Sequence, residues 1–304
     1  MNNRDKAIEK LQKACPGALI QRDEPMSRHT TFKVGGPADV MIQPSSPDEA
    51  EAAIRTVQEM GEPLFVMGNG SNLVVRDGGM DGVVVLLGER MSSVERQGCV
   101  LRAQAGALLS KLSREALNAS LKGLVFASGI PGTVGGAVVM NAGAYGGQIS
   151  DVLTRAKVLM DGEVRWMTRD ELEMGYRSTL PLKKGGIVLE AEFELTEGDY
   201  EALSRETADL SQRRRDKQPL SYPSAGSFFK RPEGYFAGAL IEQAGLKGVS
   251  MGGAQVSELH AGFVINTGNA TAGDILALKQ LIQDTVYKKD GVMLETEVRI
   301  VGRD

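Results

Sequence analysis

The twenty residues Ser128–Gly147, SGIPGTVGGAVVMNAGAYGG, hold seven glycines, and from Gly123 to Ser150 no side chain carries a charge. A membrane helix is excluded, because Pro131, Asn141 and the scattered glycines break the sustained apolar run that spanning a bilayer demands. The stretch must therefore be housed inside a globular fold. Glycine at Gly129, Gly132, Gly135 and Gly136 lets the main chain take positive φ and come close to a ligand, so that several N–H groups can converge on a diphosphate. A neutral loop of this kind holds anions with dipoles rather than with cations. A buried glycine turn between two strands explains the stretch equally well when it is taken alone. The neighbouring segments decide between the two.

Bulk properties narrow the partners. With 304 residues there is room for two or three domains, and a net charge of -4 argues against nucleic acid, whose phosphates select basic faces. Cys15 and Cys99 form no metal or redox motif, and two histidines, His29 and His260, cannot make a zinc site alone, so no metal is expected. The polar start MNNRDKAIEK does not read as a secretory signal, which leads us to expect a cytoplasmic protein with no membrane partner.

Periodicity predicts a short amphipathic helix over Asp5–Ala14. Arg28–Asp39 reads as a polar, glycine-ended passage into the apolar run Val40–Ile42. Ser46 is an N-cap with Pro47 in the first turn, Glu49 at the capping-box position and Gly61 as the stop. A strand over Pro63–Met67 follows, so the order strand, helix, strand suggests a βαβ unit whose second strand empties into Gly68-Asn69-Gly70-Ser71-Asn72. That turn lacks the third glycine of the dinucleotide fingerprint and has no Walker lysine. What remains is a turn whose amides, Ser and Asn side chains can donate to phosphate oxygens. Strands are expected at Gly82–Leu87 and Cys99–Gln104, and a helix from about Ala107 to Asn118.

Beyond the glycine-rich stretch, Asp151–Met160 and Glu163–Thr168 should form a hairpin about Asp161-Gly162, a dipeptide suited to a type I′ turn. Ile187–Leu195 is expected to be a strand with Glu190, Glu192 and Glu194 alternating, and Asp199–Lys217 a polar helix whose three arginines are solvated. A helix should start at Thr271 with Asp274 completing a capping box. The last strand, Val292–Val301, is expected to place Met293, Glu295, Glu297 and Arg299 on one face.

Three segments taken in order, Thr30–Phe32, the turn Gly68–Asn72 and Ile130–Gly146, resemble the flavin-binding half of the bacterial UDP-N-acetylenolpyruvoylglucosamine reductases. The resemblance implies an α+β chain: a two-subdomain FAD-binding fold of the vanillyl-alcohol-oxidase (PCMH) type, followed by a C-terminal α/β substrate domain. Expected boundaries are 1–90 and 91–210 for the two FAD-binding subdomains and 211–304 for the substrate domain. FAD would be bound without a covalent link by Thr31, by Gly68, Asn69, Gly70, Ser71 and Asn72, by Ile130, Pro131, Gly132, Gly135 and Gly136, and by Asn141, Gly143 and Ala144.

The resemblance continues through the second half. It places Arg177 of the segment Gly175-Tyr176-Arg177-Ser178 in the active site, makes Ser227 of the Ala225–Lys230 segment a proton donor, and picks Glu297 over Glu295 as the active carboxylate. Glu295 is then a neighbour of the site or an ion-pair partner of Arg299. Tyr176, Lys217, Lys230, Lys247 and His260 fall on positions near the substrate. The implied reaction is NADPH-dependent reduction of UDP-N-acetylglucosamine enolpyruvate to UDP-N-acetylmuramate, for peptidoglycan, with no obligatory protein partner. Hydride would reach the methylene carbon by way of FAD, and an enolate would develop beside the carboxylate. Arg177 would stabilise that charge, Glu297 would share or hydrogen-bond the carboxyl group, and Ser227 would protonate the carbon. Longer members carry a tyrosine loop that is missing here between Leu195 and Asp199. The chain thus resembles the shorter form. A rival reading is an FAD-dependent oxidase of the same fold acting on a sugar or hydroxy acid, with the flavin tethered through His29.

Overall fold

The helix Pro47–Met60 shows how local chemistry sets the first sheet. Ser46 is extended at φ −148°, its hydroxyl accepts the Glu49 N–H, and Gly61 ends the helix in the left-handed region at φ 67°. Ala50, Ala53, Ile54 and Val57 are buried along one face. The capping box expected of Glu49 is not formed: its carboxylate accepts instead from the amides of Gly17 at 2.7 Å and Ser45 at 2.8 Å. The loop before the helix thus takes the bond that Ser46 N–H would have made.

The computed structural model describes residues 3–304 and resolves two compact units. The first takes the chain through Gln21, then Val40–Asn69 and Gly82–Gln212. Its first sheet runs in the spatial order Leu19–Pro25, Pro37–Gln43, Met80–Leu86, Leu64–Met67, the last two parallel. The strands on either side of the helix are therefore not neighbours, because Met80–Leu86 stands between them. The helix Asn3–Ala14 packs on Pro47–Met60 and buries Leu11.

The second sheet of this unit is antiparallel, in the order Glu163–Thr168, Leu153–Met160, Ile187–Glu194, Val100–Gln104, Val94–Gln97. Its hairpin turns at Asp161, φ 52°, and Gly162, φ 81°, as the type I′ dipeptide predicts. The short helix Val134–Val139 of the glycine-rich stretch lies against Ile187–Glu194 and sinks Val134 and Val138 into a core with Leu101, Leu109, Leu112 and Phe193. Two of the three alternating glutamates are paired with arginines: Arg102 donates twice to Glu190, Arg155 twice to Glu192, and both guanidiniums lie over Trp166, at 5.1 and 4.6 Å from its ring centre. This face is a charge-balanced surface.

The second unit comprises Arg22–Asp39, Gly70–Asp81 and Arg213–Asp304. Its antiparallel sheet has the order Ser224–Ser227, Phe263–Asn266, Ala254–Val256, Ser250–Met251. The helix Ala272–Asp290 packs Ile275, Leu278, Ile282 and Val286 into a core that also takes Phe32, Val34 and Val74. Thr271 and Asp274 form the expected capping box, and Gly291 ends the helix at φ 69°. Asp77 adds a second cap from far along the chain, accepting the amides of Ala272 and Gly273, both at 2.9 Å.

The predicted last strand is mostly not laddered. Only Arg299–Val301 pairs, parallel to Leu73–Val75. Upstream, Glu295 O and Glu297 N–H bond to Lys230 N–H and Phe228 O around one bridge, Phe229 to Thr296. One bridge does not make a ladder, yet the expected alternation survives, with Leu294 and Val298 buried and Met293, Glu295 and Arg299 exposed. Among the described residues no helix is long and apolar enough to cross a membrane.

Candidate functional site

In the first unit the site begins where strand Leu64–Met67 ends. Asn69 Nδ2 donates to Pro131 O at 2.6 Å, and a Cβ on Gly68 would overlap Thr133 Oγ1. Glycine is thus required at 68 so that the turn can lie on the glycine-rich stretch. Within that stretch the amides of Ile130, Val134 and Gly135 bond to the carbonyls of Ala127, Ala107 and Ala105. A Cβ at Gly135 would come 2.8 Å from Ala105 Cβ, so that glycine serves close packing. These amides build the fold, and a diphosphate would use the remaining ones. Gly136 is different: it is exposed, and a Cβ there would meet only Thr133 Oγ1, at 3.6 Å, which leaves open, neutral main chain suited to an anion held by dipoles.

The turn that carries Arg177 is fastened to the same stretch. Gly175 and Ser178 pair with each other, with Gly175 N–H donating to Ser178 O at 2.8 Å, and Arg177 sits at φ 50° between them. Asn141, buried and itself at φ 41°, donates through Nδ2 to Gly175 O at 3.1 Å and accepts the Ser150 amide at 3.0 Å. The wholly buried Thr179 donates to Val139 O at 2.7 Å. Arg177 Nη2 reaches Gly143 O at 3.4 Å, and its guanidinium carbon lies 5.4 Å from the ring centre of the exposed Tyr176. Asn69, Pro131, Asn141, Gly143 and Arg177 are therefore parts of one bonded assembly.

The second unit carries a separate group of the sequence-predicted residues. Thr31 N–H donates to Gly70 O at 3.3 Å and Thr31 Oγ1 to Ser224 O at 2.7 Å. Asn72 bonds the C-terminal segment twice, Nδ2 donating to Glu297 O at 3.2 Å and its carbonyl accepting Arg299 N–H at 3.0 Å. The strand Ser224–Ser227 bulges before Ser227, where Gly226 has φ 75°, and leaves Ser227 exposed beside the buried Phe228 and Phe229. Those rings meet edge-on at 5.2 Å, with Phe32 at 6.3 Å from Phe228. Phe228 O accepts the Glu297 amide at 2.9 Å, so Ser227 and Glu297 lie on adjacent segments.

The cations fare differently. Lys230 pairs with Glu295 at 3.2 Å, which is the ion pair found for Glu295 in place of the expected one with Arg299. Lys247 pairs with Glu242 at 2.6 Å, and Lys217 is exposed at the end of helix Tyr200–Lys217. His260 Nδ1 accepts the Gly262 amide at 3.0 Å, which puts the proton of the neutral ring on Nε2. Burial pushes its pKa below the ordinary histidine value. His29 Nε2 stands 2.9 Å from the buried Glu24 carboxylate. Thr133 and Thr179 were missed by sequence reasoning, since a lone threonine beside glycine or serine carries no signal until its partner carbonyl is known.

The comparisons fall on the same segments. The model of an FAD binding domain matches residues 38–168, and that of the UDP-N-acetylenolpyruvoylglucosamine reductase C-terminal domain matches 218–301. The UDP-N-acetylenolpyruvoylglucosamine reductase of Alkaliphilus oremlandii is 55% identical over 98% of this chain and 99% of its own. This chain belongs to that reductase family. The Clostridioides difficile member is 47% identical over 100% of both chains. The crystal structure of the Thermus caldophilus reductase covers 93% of this chain and 99% of its own at a TM-score of 0.80 and 35% identity. The family's two parts thus account for the α+β content and for an FAD-binding domain ahead of a distinct C-terminal one.

Proposed function

We propose that this chain reduces UDP-N-acetylglucosamine enolpyruvate to UDP-N-acetylmuramate with NADPH, in the cytoplasm, as a step of peptidoglycan precursor synthesis. The observation that carries the reading is membership of the family over the full chain, with each motif segment found in a bonded cluster. We assign subdomains 1–90 and 91–210 to two apolar clusters of the first unit, one around Leu11, Ile54 and Val85, to which Met91, Ala105, Leu159 and Leu189 also contribute, and one around Leu101, Leu112 and Phe193. The substrate domain, 211–304, builds its core together with Phe32, Val34 and Val74 from the first ninety residues.

The open, neutral main chain at Gly136 in the first unit is chemically matched to a flavin diphosphate. FAD, when bound, would supply the hydride chemistry that links NADPH to the methylene carbon of the enolpyruvyl ether. That addition moves negative charge onto the carbon beside the carboxylate. Arg177 stabilises this charge, from a turn whose left-handed backbone is fixed by the bonds around it. Glu297, set by Asn72 and Phe228 through its own main chain, hydrogen-bonds the substrate carboxyl group. Ser227, exposed beyond the bulge, delivers the proton. A serine hydroxyl is a weak acid, and an enolate is a base strong enough to take its proton. Lys217 and Lys230, cations of the same unit, would offset the alkoxide.

Ser227→Ala tests the assignment. It should leave flavin reduction by NADPH at its normal rate and slow reoxidation by the enolpyruvyl substrate at least about 100-fold. Equal loss in both half-reactions would remove Ser227 from the proton step.

A further inference from the structure

We propose that Asn141 and Thr179 are positioning residues that set Arg177 from the glycine-rich stretch, and that the primary role of Asn141 is this rather than contact with the cofactor. The inference rests on the reading of Arg177 as the group that stabilises the enolate. Arg177 lies in a two-residue turn closed by the Gly175–Ser178 pair, and its φ of 50° is one that a residue with a Cβ rarely takes without outside support. Three bonds supply that support, and all three lead back to Val139–Gly143. Asn141 Nδ2 donates to Gly175 O at 3.1 Å, Thr179 Oγ1 donates to Val139 O at 2.7 Å, and Arg177 Nη2 reaches Gly143 O at 3.4 Å.

The first two bonds leave their side chains little freedom to do anything else. Asn141 is 2% exposed and Thr179 0%, so neither amide nor hydroxyl presents a face to a ligand. Asn141 also accepts the Ser150 amide at 3.0 Å and lies 3.4 Å from Gln148 Oε1, which uses both ends of its carboxamide. Its own φ of 41° suits asparagine better than other residues with a side chain. The turn is thus clamped on both flanks, by Asn141 before it and by Thr179 after it. Any ordering of Val139–Gly143 by the flavin is passed through these bonds to the guanidinium.

The test is a double-mutant cycle on single-turnover reoxidation of the NADPH-reduced, FAD-loaded enzyme by UDP-N-acetylglucosamine enolpyruvate. Thr179→Val keeps the shape and removes the hydroxyl, and Asn141→Asp keeps the acceptor for Ser150 and removes the donor to Gly175. Each should slow reoxidation about 10- to 100-fold, the scale of a misplaced catalytic group. In an Arg177→Ala background each should change the rate by less than about threefold, because both act through that side chain. Thr179→Ser, which keeps the donor, should restore most of the loss. Equal slowing in both backgrounds, or no slowing in either, overturns the proposal, as does weaker FAD binding by Asn141→Asp with its reoxidation rate intact. If Thr179→Val does not fold, the Asn141→Asp arm carries the cycle alone. Should Arg177→Ala by itself leave reoxidation unchanged, the reading of Arg177 fails and takes the proposal with it, a result distinct from failure of the clamp.

Discussion

Gly70 and Gly291 offer a controlled comparison of what a glycine is for. Both lie in the second unit and both have left-handed backbone, at φ 58° and φ 69°. Around Gly291 no atom stands within 4 Å of where a Cβ would be, whereas at Gly70 it would overlap His29 O and lie 2.8 Å from Thr30 Cα. Gly291→Ala should therefore cost only the left-handed penalty, about 1–2 kcal/mol. Gly70→Ala should cost that plus about 1–3 kcal/mol for overpacking against main chain that cannot swing aside. The excess corresponds to a further drop in Tm of several degrees, at roughly 2–4 °C per kcal/mol for a protein of this size. Because Gly70 O accepts the Thr31 amide, the forced shift should also weaken FAD binding about tenfold or more, and Gly291→Ala should not. Thermal unfolding of the apoprotein by circular dichroism and titration with FAD by fluorescence read the two effects. Equal Tm shifts for the two variants would refute the close-approach argument.

Asp77→Ala removes two amide acceptors from the start of helix Ala272–Asp290 and should cost about 1–2 kcal/mol in denaturant unfolding, with Asp77→Asn losing less. His260 is held neutral by burial, with a folded pKa below its ordinary 6.5. The unfolded chain therefore binds the proton more readily, so the contribution of His260 is complete above pH 6.5 and is lost as pH falls through the lowered folded value. His260→Gln should flatten that part of the stability–pH curve, and an unchanged slope would contradict a buried neutral ring. Cys15 donates to Glu49 O from a buried position, and burial pushes its thiol up to about 11, so it should resist alkylation in the native protein at pH 8 while Cys99 reacts.

Most of the scaffold was legible because its signals are local. Ser46 with Pro47 and Gly61, Thr271 with Asp274, and Asp161-Gly162 each fix an element within a few residues, and each is observed. Where a bond partner lies far along the chain the reading failed or stayed silent. Glu49 takes Gly17 instead of its own helix end, Glu295 takes Lys230 where Arg299 was one of two readings offered, and Met80–Leu86 lies between the two strands of the expected βαβ unit. The candidate site shows the same division. Glycine at 68 and 70 is conspicuous in sequence, but that these positions face Thr133 and His29 follows only from tertiary packing. The alternation of Glu190 and Glu192 was visible in sequence, and their pairing with Arg102 and Arg155 around Trp166 was not. Asn72 was read as a phosphate donor, and its side-chain amide is found holding the main chain of Glu297.

The most direct test of the account is an anaerobic half-reaction on the purified protein. NADPH should bleach the flavin absorbance, and UDP-N-acetylglucosamine enolpyruvate, added without oxygen, should restore it with formation of UDP-N-acetylmuramate. Bleaching followed by no recovery until air is admitted would contradict the account: the protein would then be a flavoprotein with a different substrate, and an oxidase of sugars or hydroxy acids would take its place.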